Sequence, residues 1–103
     1  ARVEVPFETT IAGVLIRGRI DAIYPDGDGF QVVDWKTGSK KLGASAQVQL
    51  AMYRLAWAKL SGCDISKISA AFHYVPTGIT DQPADLLDEA ALIELIKSVG
   101  TLP

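Results

Sequence analysis

Two apolar, β-branched runs, GRIDAIY at 18–24 and FQVVDWKTG at 30–38, lie on either side of the turn-forming PDGDG. Such runs around a cluster of Pro, Asp and Gly read as a β-hairpin centred on Gly27-Asp28. Strand side chains alternate between faces, so Asp34 and Lys36, two apart, share one face. The same hairpin sets Asp21 opposite Asp34, and residues directly opposite on paired strands share a face. Two carboxylates and an ammonium therefore converge on one small patch, unless a bulge shifts the register.

The remaining pattern builds outward from this hairpin. Residues 2–11 alternate apolar and polar and predict a half-buried strand; Ala12-Gly13 then turns the chain into a strand over 14–24, and a third strand covers 29–35. Together they make an antiparallel meander. The polar, glycine-bearing stretch 37–43 predicts a mobile loop beside the patch. Residues 44–61, rich in Ala, Leu, Gln and Met with Gly62 as a stop, predict a helix. Its apolar residues cover more than one stripe, so it should pack on the sheet and be covered on its other side as well, with segments outside residues 1–103 as one candidate cover. KISAAFHYVP at 67–76 predicts a returning strand, parallel to a hairpin strand across a crossover, and 77–84 a turn-rich connector. Asp85 or Asp88 caps a final amphipathic helix running to about residue 99. The fold class is α+β (α/β): a mixed sheet with an antiparallel meander, flanked by helices.

A chain of 103 residues is one small domain, residues 1–103, and its 49% apolar and 21% charged composition suits a compact globule. No apolar stretch approaches the roughly 20 residues that span a bilayer, and no secretory pattern opens the chain, so a cytoplasmic protein without membrane contact is expected. The lone Cys63 excludes an intrachain disulfide and a cysteine-built zinc or iron–sulfur centre. A net charge of −2 excludes a uniformly basic surface, but Arg17, Arg19, Lys36, Lys40 and Lys41 gather near the patch while Asp81, Asp85, Asp88, Glu89 and Glu94 lie toward the far end. Either a basic border to a site or a solvated loop fits that distribution.

The patch has a chemical reading. Mg²⁺ prefers hard oxygen ligands and is commonly held by one or two carboxylates together with phosphate oxygens, which suits Asp21 and Asp34. A nearby lysine orients a metal-activated water or stabilises charge building on phosphate, which suits Lys36. Taken alone, D-x-K fits a surface ion pair between Asp34 and Lys36, with Asp21 solvated, at least as well. Lys36 also stands at a strand end, where a replacement should be solvated at little cost to folding. Glu4 and Glu8 belong to the polar set of the first strand and are expected in solvent. His73, the one histidine, is expected to be structural or exposed, and Trp57 to pack in the core.

Three segments together are more specific than any one. Gly18-Arg19-Ile20-Asp21, Asp34-Trp35-Lys36-Thr37-Gly38 and Gln49-Leu50-Ala51-Met52-Tyr53 match, in order, the G-x-x-D, D-x-K-T-G and Q-x-x-x-Y motifs. In this the chain resembles the RecB-type branch of the PD-(D/E)xK nucleases, found fused to UvrD-like helicases in bacterial DNA-break processing. The resemblance implies a restriction-endonuclease-like core and an Mg²⁺- or Mn²⁺-dependent deoxyribonuclease of exonuclease type. It implies Asp21, Asp34 and the Trp35 carbonyl as metal ligands, Lys36 as the catalytic lysine, and Gln49, Tyr53, Lys40 and Lys41 as substrate-binding residues. DNA and a helicase domain, in the same polypeptide or a partner subunit, are the implied partners, because no P-loop occurs in this sequence. The family also carries a further metal ligand, histidine or glutamate, on a helix before the first strand, whereas this chain opens on a strand. It is thus expected to be a C-terminal fragment of a larger helicase–nuclease, or a module that lost cleavage and kept the fold for DNA binding or docking.

Overall fold

The structure is a computed structural model and describes residues 1–38 and 43–100. The chain forms β1 (Arg2–Ile11), β2 (Val14–Asp26), β3 (Gly29–Lys36), α1 (Ala44–Ser61), a single 3₁₀ turn (Ile65–Lys67), β4 (Ile68–Tyr74), β5 (Ile79–Asp81) and α2 (Glu89–Gly100). One mixed sheet takes the order β1-β2-β3-β4-β5, antiparallel throughout except for the parallel pair β3 and β4. That parallel pairing needs a crossover longer than a tight turn, and α1 supplies it. No helix among the described residues is long and apolar enough to cross a membrane.

Turn chemistry explains both hairpins. β1 and β2 close with Ile11 opposite Val14, leaving Ala12 and Gly13 as the two loop residues at φ +53° and +78°. Positive φ at both positions is the type I′ pattern, whose twist matches paired strands. Glycine tolerates it and alanine is strained by it. Ala12→Gly should therefore stabilise the protein by about 0.5–1 kcal/mol, read as a rise in the urea midpoint at unchanged slope. β2 and β3 close with Asp26 opposite Gly29, and Gly27 takes φ +57°. Gly29 is required for a different reason: a β-carbon there would sit 1.8 Å from the Lys67 carbonyl oxygen. Backbone cannot give way as a side chain can, so Gly29→Ala should cost about 2–3 kcal/mol, measurable by denaturant unfolding.

The core lies between the sheet and α1. Val5, Phe7, Ile20, Ile23, Val32, Ile68, Ala70 and Phe72 from the strands meet Leu50, Ala56 and Trp57 from α1. Each large side chain buried here contributes about 1.5–3 kcal/mol. The second apolar side of α1 is covered within this chain, since Ala51, Leu55, Val48 and Met52 pack with Leu92, Ile93 and Ile96 of α2 and with Ile11. Gly62, at φ +72°, ends α1 and donates to the Ala58 carbonyl at 3.0 Å. Asp88 opens α2 by accepting the Ala91 amide at 2.9 Å.

β2 carries one irregularity that shapes the site. Ile20 and Ile23 both enter the core, although residues three apart on a regular strand face opposite ways. The ladder to β1 pairs Val3 with Ala22 and Val5 with Ile20, and between those pairs Glu4 stands opposite Asp21 at φ +49°. This distortion lets β2 direct Gly18 and Ile20 toward α1 on one side of it and Asp21 and Ile23 on the other.

Two elements differ from the expectations. The connector 77–84 contains the short strand β5, which turns back on β4 through Ile79 opposite Tyr74. The chain also forms a 3₁₀ turn before β4, capped by Asp64, whose carboxylate accepts the Ser66 amide at 2.9 Å and is held below the usual carboxylate range by that bond.

Candidate metal and phosphodiester site

β2 and β3 keep the register that ends in Ala22 opposite Val33, and its continuation sets Asp21 beside Asp34. The carboxylate of Asp21 takes over from the ladder there: its Oδ2 accepts the backbone N–H of Trp35 at 2.8 Å. That bond fixes the Asp21 side chain against β3. Asp34, only 5% exposed, is the one charged side chain buried in the core among the described residues. Its Oδ2 is ion-paired to Lys36 Nζ at 3.1 Å.

The electrostatics are unfavourable for two anions. Burial pushes the Asp34 carboxyl above its usual range, the adjacent Asp21 carboxylate adds to this, and Lys36 offsets only part of it. A cation bound beside Asp34 would relieve this penalty. Lys36 is itself half-buried and its Nζ stands 6.0 Å from the Phe72 ring centroid. From the sequence a replacement at this strand end is expected to be solvated at little cost; the native side chain is half-buried and is the counter-charge of Asp34.

α1 completes the wall. Gln49 and Tyr53, one turn apart, face the same way, and Gln49 Nε2 donates to Tyr53 Oη at 2.6 Å. Burial raises the Tyr53 hydroxyl above its ordinary value, and the charges of Asp34 and Asp21 act in the same direction, so it remains protonated at neutral pH. Phe7 braces the tyrosine edge-on, with ring centroids 5.5 Å apart. The glycine of G-x-x-D gains a physical reason here: a β-carbon on Gly18 would stand 3.0 Å from the Phe7 ring and 3.7 Å from Tyr53. Phe7 and Phe72 are parts of the site that sequence patterns left among ordinary core residues, since nothing in their spacing separates a brace from packing.

The other candidates fall elsewhere. His73 lies away from the carboxylates, with Nδ1 2.9 Å from Thr80 Oγ1. Glu4 and Glu8 are exposed, and Glu8 pairs with Arg17 at 3.6 Å. Trp57 is buried in the core, and Cys63 is half-buried at its edge. Lys40 and Lys41 lie outside the described residues. Among those described, no group of three or more His, Cys, Asp or Glu side chains is arranged to hold a metal. The site as built offers two carboxylates, that of Asp34 buried beside the Lys36 ammonium. Hard oxygen donors of this kind suit Mg²⁺ or Mn²⁺.

A sheet crossed by α1, with an acid from each hairpin strand and a lysine two residues beyond the second acid, defines a class of phosphodiester-cleaving domains. The family model of the PD-(D/E)XK nuclease superfamily matches residues 1–100, and the chain belongs to that superfamily. Its five-stranded mixed sheet with two helices agrees with the restriction-endonuclease-like core. A solved structure described as the crystal structure of SSO0001 superposes with a TM-score of 0.62 at 22% identity, over 99% of this chain and 50% of that one. The chain thus spans about half the length of that structure, and the likeness is one of fold. No curated protein matches it by sequence.

Proposed function

We propose that this chain is the nuclease module of a RecB-like helicase–nuclease, hydrolysing DNA phosphodiester bonds with Mg²⁺ or Mn²⁺ in the processing of DNA breaks. The observation that carries the reading is the buried Asp34 carboxylate, destabilised by burial and Asp21 and only partly offset by Lys36. Selection for a stable fold alone would favour a neutral or apolar side chain there. A site that binds a cation has reason to keep the charge.

In this reading Asp21, Asp34 and the Trp35 carbonyl hold the metal. When bound, it supplies an acidified water and offsets negative charge on the phosphate. The residues of the chain do the rest. The Trp35 amide holds Asp21 in place. Lys36 keeps Asp34 ionised and presents an ammonium to the phosphate as its charge increases. Tyr53, braced by Phe7 and hydrogen-bonded to Gln49, positions the DNA backbone, and Lys40 and Lys41 add attraction to phosphate. Exonuclease action, the helicase partner and the cytoplasmic setting belong to the same proposal.

A second reading, a catalytically inactive module that docks on DNA within a helicase, is favoured by one observation: among the described residues only two carboxylates meet at the site. Calorimetric titration with Mn²⁺ separates the two at the level of the site. The nuclease reading expects one binding event that Asp34→Asn weakens at least about tenfold, since a hard cation loses one of its two carboxylate ligands. Equal binding by the variant would remove the metal site and with it this proposal.

A further inference from the structure

The sheet face turned away from α1 carries chemistry that hydrolysis does not use. Ile23 and Val32 enter the core, so alternation turns Tyr24, Val33 and Trp35 to the opposite side. There Tyr24, Gln31, Val33, Trp35, His73 and Thr80 line a cleft of about 390 Å³. Val33 forms its floor at 5% exposure, while Tyr24 and Trp35 keep 38% and 40% of their surface in solvent. Hydrogen bonds order the rim: His73 Nδ1 meets Thr80 Oγ1 at 2.9 Å, and Gln31 Nε2 donates to Gln82 Oε1 at 3.3 Å.

Farther along β2, Gly18 faces Phe7 and Tyr53, so Arg17 and Arg19 project to the face opposite α1. Arg17 is paired with Glu8, and Arg19 has no ion-pair partner among the described residues. A protein segment docking on this face would meet guanidinium, amide and imidazole groups where it needs apolar contact. Single-stranded nucleic acid meets each with a suitable group: bases have π-faces for the rings and polar edges for Gln31 and His73, and phosphates suit the arginines. In a duplex the base faces are already stacked on one another.

We propose that this open face binds single-stranded DNA, with bases stacked on Tyr24 and on Trp35 and phosphates on Arg19 and Arg17. The proposal rests on the nuclease reading for the identity of the substrate. Trp35 stands between Asp34 and Lys36, so β3 presents the hydrolytic groups on one face and a stacking ring on the other. A strand passing over the end of β3 engages both, and the open face retains it beside the site.

The test is fluorescence anisotropy of a labelled oligothymidylate in EDTA, together with tryptophan emission. Trp35 is the exposed tryptophan and Trp57 the buried one, so binding should quench emission in the parent and not in Trp35→Phe. Tyr24→Ala should weaken binding roughly 5- to 150-fold, the range expected for loss of one stacked base. Arg19→Ala should weaken it less and lower the salt dependence by roughly one phosphate contact. A duplex of the same sequence should bind more weakly than the single strand. Circular dichroism confirms that each variant is folded. Parental affinity in both Tyr24→Ala and Trp35→Ala, or binding without quenching, overturns the platform. If the parent then still cleaves the oligomer with Mg²⁺, the nuclease reading stands without it; if the parent neither binds nor cleaves, both fail.

Discussion

Replacing Lys36 by alanine should slow DNA hydrolysis by about 10²–10³-fold, because a positive group aimed at charge that develops in the transition state is worth most in a water-poor site. Single-turnover cleavage of end-labelled DNA with Mg²⁺ measures this directly. The structure adds a folding cost. The ammonium is half-buried and is the counter-charge of a carboxylate that is 5% exposed, so its removal leaves Asp34 with burial and Asp21 acting alone. Melting temperature should therefore fall more at neutral than at acidic pH, where Asp34 is protonated in the variant. A variant that cleaves at the parental rate would take Lys36 out of the mechanism.

Asp34→Asn should have opposite effects on activity and stability. Cleavage should drop by about 10³-fold or more if Asp34 is, as proposed, one of two carboxylates that would hold the metal. Stability at neutral pH should rise. The sign follows from the direction of the shift: a carboxyl whose pKa is raised on folding stabilises the fold below its ordinary pKa and loses that contribution as pH climbs through the raised value. The parent thus carries a disfavoured charge at neutral pH, and the amide carries none. A gain of about 1 kcal/mol would raise the melting temperature by roughly 4–8 °C in a domain of this size. The advantage should shrink on acidification and reverse when Mn²⁺ is added, because a metal that binds the parent more tightly would stabilise it more. A variant less stable than the parent at neutral pH without metal would show that the Lys36 pair outweighs burial and Asp21.

Much of this arrangement is legible in the amino-acid sequence, for identifiable reasons. The register that brings Asp21 to Asp34 follows from a tight Asp-Gly-Asp-Gly turn and strict alternation, both local properties. α1 follows from helix-forming composition and the αL stop at Gly62, and Asp88 follows from capping chemistry. The features that escape sequence reading depend on tertiary contact. β5 is three residues long, too short for alternation to register, and exists because β4 offers it an edge. Covering of α1 by α2 cannot be told from covering by other segments, because the apolar stripe looks the same for both. Lys36 stands at a strand end, yet its side chain is half-buried, with Nζ 6.0 Å from the ring of Phe72 on the parallel neighbour β4. The switch of facing at Glu4 and Asp21 has no signature in residue type, since glutamate is a poor candidate for positive φ. The cleft between Tyr24 and Trp35 depends on which face stays uncovered, which only packing decides.

A metal-dependent nuclease site at Asp21 and Asp34 is tested most directly by cleavage of labelled single- and double-stranded DNA. Purified protein would be assayed across a series of Mg²⁺ and Mn²⁺ concentrations, with Asp34→Asn prepared in parallel. Hydrolysis should require the metal, saturate with it, and be absent from the variant. Cleavage that persists in Asp34→Asn, or DNA bound but left intact by the parent at every metal concentration, would rule the site out as a nuclease centre.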